Sequence, residues 1–507
     1  MRRIFRVLLA IAAIAPLHAA VIRGTVVEKR SGYGLSRATV TIEPINAPGQ
    51  APRAAHAGET GVFEFDGLSA GSYLIRATAR GFLPMEYGQQ RWNSAGRVVM
   101  IENDTTLALY LPLARFSGIV GVVRDSNEVG IPDQEVAAYT NTQPPQYVTR
   151  VKSDDRGVFR IGGLDPGSYL VRTAGGVDED RGYLPTFARQ TLRVEEARPV
   201  EAYLDEDTSD GDVRPVIGRL FDLSGSVSLP SQPPYQVTVT LASDMGRVVS
   251  QGPVFHFPAL APGRYEIYAE AKALSTRGVN AFAAKAMGGY AEITMERDLM
   301  NYALPMNDVR DSQFVLEGAG SEVSAKGLLR RRDLAGVGPT VSVTFKGVAG
   351  VPIFPGRWEF QAAAPDGYYV SRFQGGARNN NANARPEGWN ELLVNFGYSR
   401  FTIGLSSGAA SLRGMVKSGN APAAFAPVFL EEWDPITRQR IVELRSARTD
   451  ARGNYSFTGL APGDYRVLAT YDYASPDSRA FDVSAPQSVR VEVNTSPQVD
   501  LELLGGP

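Results

Sequence analysis

Apolar and polar positions alternate along the chain with the period of half-buried strands. Phe63 and Phe65 alternate with Val62 and Glu64, and Tyr73, Ile75 and Ala77 alternate with Leu74 and Arg76. Between these runs, Gly67, Leu68 and the Ala70-Gly71 step supply a turn, so the two runs read as an antiparallel pair facing one core. The same unit recurs. Gly61 to Ala77 reads GVFEFDGLSAGSYLIRA, Gly157 to Thr173 reads GVFRIGGLDPGSYLVRT, and Gly453 to Ala469 reads GNYSFTGLAPGDYRVLA. A fainter copy, PVFHFPALAPGRYEIYA, starts at Pro253, and a worn one, VPIFPGRWEFQA, starts at Val351. The turn glycines Gly71, Gly167, Gly263, Gly356 and Gly463 stand 96, 96, 93 and 107 residues apart, so one module is about a hundred residues long.

Two further signatures frame the unit. A strand with an internal glycine opens the clear copies, placing Gly24, Gly121 and Gly414 at 47, 46 and 49 residues before their turn glycines. Val99, Ile101, Leu107, Leu109 and Leu111, matched by Val491, Val493, Val499, Leu501 and Leu503, read as a closing hairpin. About seven strands per hundred residues without long helical periodicity predict an all-β chain, a tandem array of about five seven-stranded Greek-key β-sandwiches. The signatures place modules at 21–114, 115–208, 209–310, 311–408 and 409–507. The third and fourth lack the clean opening strand and read as diverged.

Composition fits this picture. There are 52 Gly and 33 Pro in 507 residues, too many for a mainly helical protein, and 43% hydrophobic content is globular. A net charge of −2 gives no basic field for nucleic acid or anionic lipid. Residues 1–20 read as a secretory signal, with Arg2, Arg3 and Arg6 before an apolar run from Val7 to Pro16 and small residues Ala19 and Ala20. The mature chain is expected to begin near Val21, with no membrane span, in the periplasm or outside a bacterial cell. Without cysteine there is no disulfide framework, and each module rests on its core.

The Gly-containing first strand, the Ser153-Asp154-Asp155-Arg156-Gly157 and Thr449-Asp450-Ala451-Arg452-Gly453 turns, and the Phe-x-Phe-x-Gly-Leu-x-Pro-Gly-x-Tyr unit resemble the carboxypeptidase regulatory-like domain. That family is a prealbumin-like sandwich related to Cna B-type surface modules and starch-binding-like sandwiches. The resemblance implies stalks, spacers or binding accessories. A zinc peptidase of the kind that gave the family its name needs a His and Glu cluster, and the only histidines are His18, His56 and His256. The resemblance also brings to mind Lys-to-Asn isopeptide crosslinks, for which Lys417 and Asn494 are the pair to inspect, though no matched acid accompanies them.

Few residues suggest chemistry. Gly404-Leu405-Ser406-Ser407-Gly408 matches the G-x-S-x-G elbow but sits at the end of an alternating strand with no room for a helix. Asp205, Asp207, Asp210 and Asp212 read as a solvated acidic linker rather than a Ca²⁺ loop, and Asp154-Asp155 as a turn cap. Arg330-Arg331-Arg332 and the Asn379 to Asn383 run read as exposed, flexible features. Trp92, Trp389, Trp433, Tyr471 and Tyr473 are candidates for a sugar-stacking platform, while Trp358 replaces the repeat's Tyr and belongs to a core. No catalytic, cofactor or metal residue is expected. The sequence points to a non-enzymatic structural or interaction protein of the bacterial envelope, a spacer or scaffold for envelope proteins. The alternative is a carbohydrate-binding protein acting on polysaccharide.

Overall fold

A computed structural model describes residues 20–505, apart from 46–48, 143–144, 179–180, 232–233, 245, 275–284, 321, 376–386 and 395–398. The expected signal segment up to residue 19 and the Asn379 to Asn383 run lie outside the described residues. The chain is nearly all β. The first sandwich shows how the alternation is used. Its seven main strands are β1 (Ala20–Glu28), β2 (Thr39–Pro44), β3 (Arg53–His56), β4 (Val62–Leu68), β5 (Gly71–Thr78), β6 (Val98–Ile101) and β7 (Thr106–Leu113), and the two-residue strand Met85–Glu86 also pairs with β5. One sheet runs β4-β1-β7, with β1 and β7 parallel; the other runs β3-β2-β5-β6. Ile22, Val40, Ile75 and Leu111 are fully buried between the sheets, with Phe63 and Phe65 meeting edge to face.

The pairing corrects two sequence expectations. β4 and β5 do not pair with each other: β4 joins β1, and β5 joins β2, so the Gly67 to Gly71 turn carries the chain from one sheet to the other. β6 and β7 likewise part to opposite sheets rather than forming a hairpin. A period of two reveals which residues face the core, but two facing sheets share one core, so it cannot say which sheet a strand joins.

The same seven-strand scheme returns four times. The opening strands Ser117–Val122, Phe221–Val227, Asp311–Glu317 and Ala410–Ser418 each pair antiparallel with the strand before the turn glycine and parallel with a later segment. The third sandwich therefore keeps its opening strand. Its Gly225 is only 38 residues before Gly263 because the intervening loops are short, which hid it from the spacing rule. Each sandwich has its own buried cluster.

The repeated residues have defined structural tasks. In four sandwiches the opening-strand glycine stands opposite an aromatic: Gly24 and Phe63, Gly121 and Phe159, Gly225 and Phe255, Gly414 and Tyr455. A β-carbon on Gly225 would lie 2.0 Å from the Tyr302 carbonyl oxygen and 2.6 Å from the Phe255 ring, so the ring lies over the space a side chain would need. After each turn, an aromatic donates a hydrogen bond to the carbonyl four residues back. Tyr73, Tyr169, Tyr265 and Tyr465 reach Ser69, Asp165, Ala261 and Ala461 at 2.8, 2.8, 2.9 and 2.9 Å. Trp358 does the same to Phe354 through its indole N–H at 2.8 Å. Such aromatic corners pin the crossing between sheets.

The chain divides into two compact units, residues 1–115 and 116–507. The first sandwich forms one, and the remaining four share the other.

Candidate functional site

The acidic run after the second sandwich is part of that sandwich. Residues 207–213 track alongside the opening strand, with Gly211 and Val213 donating to Val120 and Val122. Asp207 grips Arg160 with both oxygens at 2.9 Å, Asp210 holds Arg189, and Asp212 accepts from the Val122 amide at 2.8 Å and meets Arg124 at 3.3 Å. Asp205 makes the preceding turn at φ 60°. The carboxylates fasten a parallel edge strand, a short-range task whose partners come from distant positions in the sequence. Asp154 and Asp450 act as turn caps: each accepts two amides at 2.8 to 2.9 Å. Hydrogen bonds from Arg156 and Asn454, respectively, hold their acids below the usual range.

Ser406 lies inside the strand Arg400–Ser407, its hydroxyl donating to Ser371 Oγ at 2.8 Å. His256 faces Asp222 at 3.4 Å and His56 faces Thr39 at 3.2 Å. In the fifth sandwich, Asn494 sits against Gly408, before the start of the strand Ala410–Ser418, and Lys417 lies near its end beside Asp500 at 3.8 Å. A strand's length separates them, roughly 25 to 30 Å at the usual rise. That rules out an isopeptide between this pair.

The aromatic candidates are dispersed in role. Trp92 is 38% exposed in the first unit. Trp389 carries the Arg330 guanidinium 3.7 Å from its ring centroid and donates to Glu443 at 3.2 Å. Trp433 carries Arg466 at 3.5 Å. Each of these two rings has one face occupied by a cation. Tyr471 packs against the fifth core, and Tyr473 is half-buried. Trp389 also borders a surface cavity of about 530 Å³ with Arg440, Glu443 and Ser475.

The three consecutive arginines are the opposite of exposed and flexible. Arg330 and Arg332 both hold the buried Glu359, and Arg331 is itself buried. Arg331 stacks on Tyr268 and Trp358 at 4.1 and 4.7 Å and donates to Glu270 at 3.0 Å. It thereby joins the fourth sandwich to the third. Arg247 and Asp333 form a second bridge, with two bonds of 2.7 and 2.8 Å, reinforced by the Tyr268 hydroxyl at 3.0 Å. Arg357 reaches the buried Glu266 at 2.8 Å in a third. Charge-assisted bonds between desolvated groups set a joint's geometry, and removing one partner strands the other. A run of like charges in sequence gave no hint of its partners on another sandwich.

A cavity of about 590 Å³ opens where the second, third and fourth sandwiches approach, bordered by Tyr139, Tyr147, Arg150, Arg172, Arg247 and Val337 among others. Arg172 is the residue that sequence reasoning missed, because it reads as the ordinary polar position of an alternating strand. Its neighbours on the outer face are Tyr139, Leu170 and Phe187, a small second core. Burial lowers the Arg172 pKa and raises that of the Tyr139 hydroxyl, which therefore stays neutral.

A family model matches the first and the fifth sandwich, at residues 21–107 and 411–496. Both match the carboxypeptidase regulatory-like domain. The two matched sandwiches stand at either end of the chain order, with three between them that share the same strand scheme. No curated protein matches the chain. Similar solved structures include the minor pilin of Streptococcus agalactiae, at 11% identity over 42% of this chain and 100% of that one, with a TM-score of 0.25. The shaft pilin SpaA of Lactobacillus rhamnosus GG matches at 11% identity, 40% and 99% coverage and a TM-score of 0.24. The major pilin subunit of Bacillus cereus matches at 8% identity, 76% and 99% coverage and a TM-score of 0.16.

Proposed function

We propose that this chain is an exported, non-catalytic array of five sandwiches, with module limits near 114, 208, 310 and 408, that spaces or presents binding surfaces at a bacterial envelope. The observation that carries the reading is the joint between the third and fourth sandwiches. Three ion pairs, each with one partner buried, hold it, and a spacer needs that kind of stiffness. The repeat residues support it too, since their glycines and aromatics are used in strand approach and in the corners.

The test uses the mature chain recovered from extracytoplasmic fractions. The protein is expected there, and inert towards ester, peptide and glycoside panels. Retention in the cytoplasm, or a hydrolytic activity that Ser406→Ala abolishes, would overturn the reading. Calorimetry should show the third and fourth sandwiches unfolding as one transition, which Asp333→Ala splits in two.

The second reading is polysaccharide binding. It is favoured by the cavity beside Trp389, whose ring offers an open edge next to polar partners. Loss of retention on insoluble polysaccharide in Trp389→Ala is its expected sign.

A further inference from the structure

Three arginines line the cavity among the second, third and fourth sandwiches, and two are engaged. Arg150 donates to Glu135 at 2.8 Å, and Arg247 is bound to Asp333. Arg172 differs. It is only 7% exposed, and its Nε and Nη1 make no hydrogen bond. The carboxylate facing it, Asp244, stays 4.0 Å from Nη1, too far for one. A buried guanidinium with unfilled donors is costly unless something else fills them. The fold nevertheless holds the group in place, with its guanidinium 4.8 Å from the Phe187 ring centroid and Tyr139 and Leu170 packed around the same ring.

The lining defines what would fit. A planar cation with free N–H groups suits a carboxylate. Glu135 on the wall and Asp244 nearby are already negative, which favours one added charge over the two of a phosphate, and both can accept from hydroxyl groups. Tyr139 and Tyr147, edge to face with centroids 5.9 Å apart, give an apolar wall for a carbon skeleton. A volume of about 590 Å³ is in the range of small-molecule sites. We propose that this cavity binds a hydroxylated monocarboxylate, of the sugar-acid or uronic-acid class, with Arg172 receiving the carboxylate. The proposal does not rest on either functional reading above, since a spacer can also carry a ligand site.

Calorimetric titration of the mature full chain at low salt provides the test, with galacturonate, gluconate, glucose, inorganic phosphate and a galacturonate oligomer as probes. Galacturonate or gluconate should saturate a single site with a Kd in the millimolar range or tighter, and glucose should not bind. Arg172→Met should weaken binding by about tenfold or more while raising the unfolding temperature of the ligand-free protein, because an unfilled buried charge is gone. Tyr147→Ala, at an exposed wall position, should weaken binding with the fold intact, and it keeps the test available if Arg172→Met does not fold. An oligomer that binds as well as galacturonate identifies a polysaccharide source, and an excluded oligomer identifies a free acid. Absence of binding by both acids, preference for phosphate, or undiminished binding in Tyr147→Ala and Arg172→Met would overturn the proposal.

Discussion

The fourth sandwich solves the same packing problem as the other four with the parts exchanged. In the others, a glycine on the opening strand lies beneath an aromatic of the neighbouring strand. In the fourth, the opening strand carries Phe314 and the neighbour carries the small Ala349, again directly opposite. Phe314 is fully buried and packs 4.8 Å from Phe360 and 5.2 Å from Phe401. The strand before Gly356 has also lost the irregularity that the equivalent strands show, its pairing running without a register shift from Asp311 to Val315. What the fold specifies at this point is one ring's volume between the sheets. Either strand can provide it, provided the other gives way.

The largest expected effect comes from deleting that ring. Phe314→Ala should cost about 4 kcal/mol, as emptying a buried phenylalanine site usually does, read as loss of the fourth sandwich's calorimetric transition. Adding a side chain where the ring already lies should cost somewhat less. Gly225→Val should destabilise the third sandwich by about 3 kcal/mol, since the clash includes the Tyr302 backbone oxygen and not only a ring that can tilt. The exchange itself can be tested: Phe314→Gly combined with Ala349→Phe should recover part of the loss seen in Phe314→Gly, a coupling that independent sites would not show. Strict additivity would refute the idea of one shared volume.

A second contrast separates the fourth sandwich from the fifth. The buried carboxylate of the fourth, Glu359, lies between Arg330 and Arg332. In the fifth, Glu432 is equally hidden, its Oε2 has no hydrogen-bond partner, and Glu387 is close enough to act on it. Burial pushes Glu387 up to about 7, and burial together with the charge of Glu387 pushes Glu432 up to about 8. Between the ordinary value near 4.5 and these raised values, the folded chain holds protons that the unfolded chain has released. Stability from this pair is therefore fully present below about pH 4.5 and declines as pH rises to about 8. Hydrogen exchange at the amides of Pro427–Asp434 should accelerate over that window, and Glu432→Gln should flatten the dependence. A pH-independent exchange rate between 5 and 8 would contradict it.

These contrasts show what a sequence can carry. The alternation of Phe63, Phe65, Tyr73 and Ile75 announced strands, and the repeated glycines announced how many times the unit returns, because both report local requirements. Pairing was another matter: the strands before and after Gly71 are neighbours in sequence yet belong to opposite sheets, and core-facing periodicity is the same for either partner. The candidate site was less legible still. Arg172 occupies an unremarkable polar position of its strand, and its burial is created by the Phe187 segment and by approaching sandwiches. Arg330 to Arg332 looked solvated because Glu359, Glu270 and Trp389 come from 27 to 61 positions away.

The smallest effect addresses the one repeat position where the residue type changes while the bond is kept. Trp358 stands where the other sandwiches have tyrosine, and its indole N–H makes the same hydrogen bond four residues back. If the bond is what matters, Trp358→Phe should cost more than the lost area alone, by about 1 kcal/mol, because the Phe354 carbonyl loses its donor. Tyr265→Phe in the third sandwich should cost a similar amount with almost no change in volume, so it measures the bond by itself. Trp358→Tyr then decides between bond and bulk: a hydroxyl able to reach Phe354 should bring stability back towards the parent despite the smaller ring. If Trp358→Tyr is no better than Trp358→Phe, the fourth sandwich uses its tryptophan for the stacking with Arg331, 4.7 Å from the ring centroid, and the corner is incidental there.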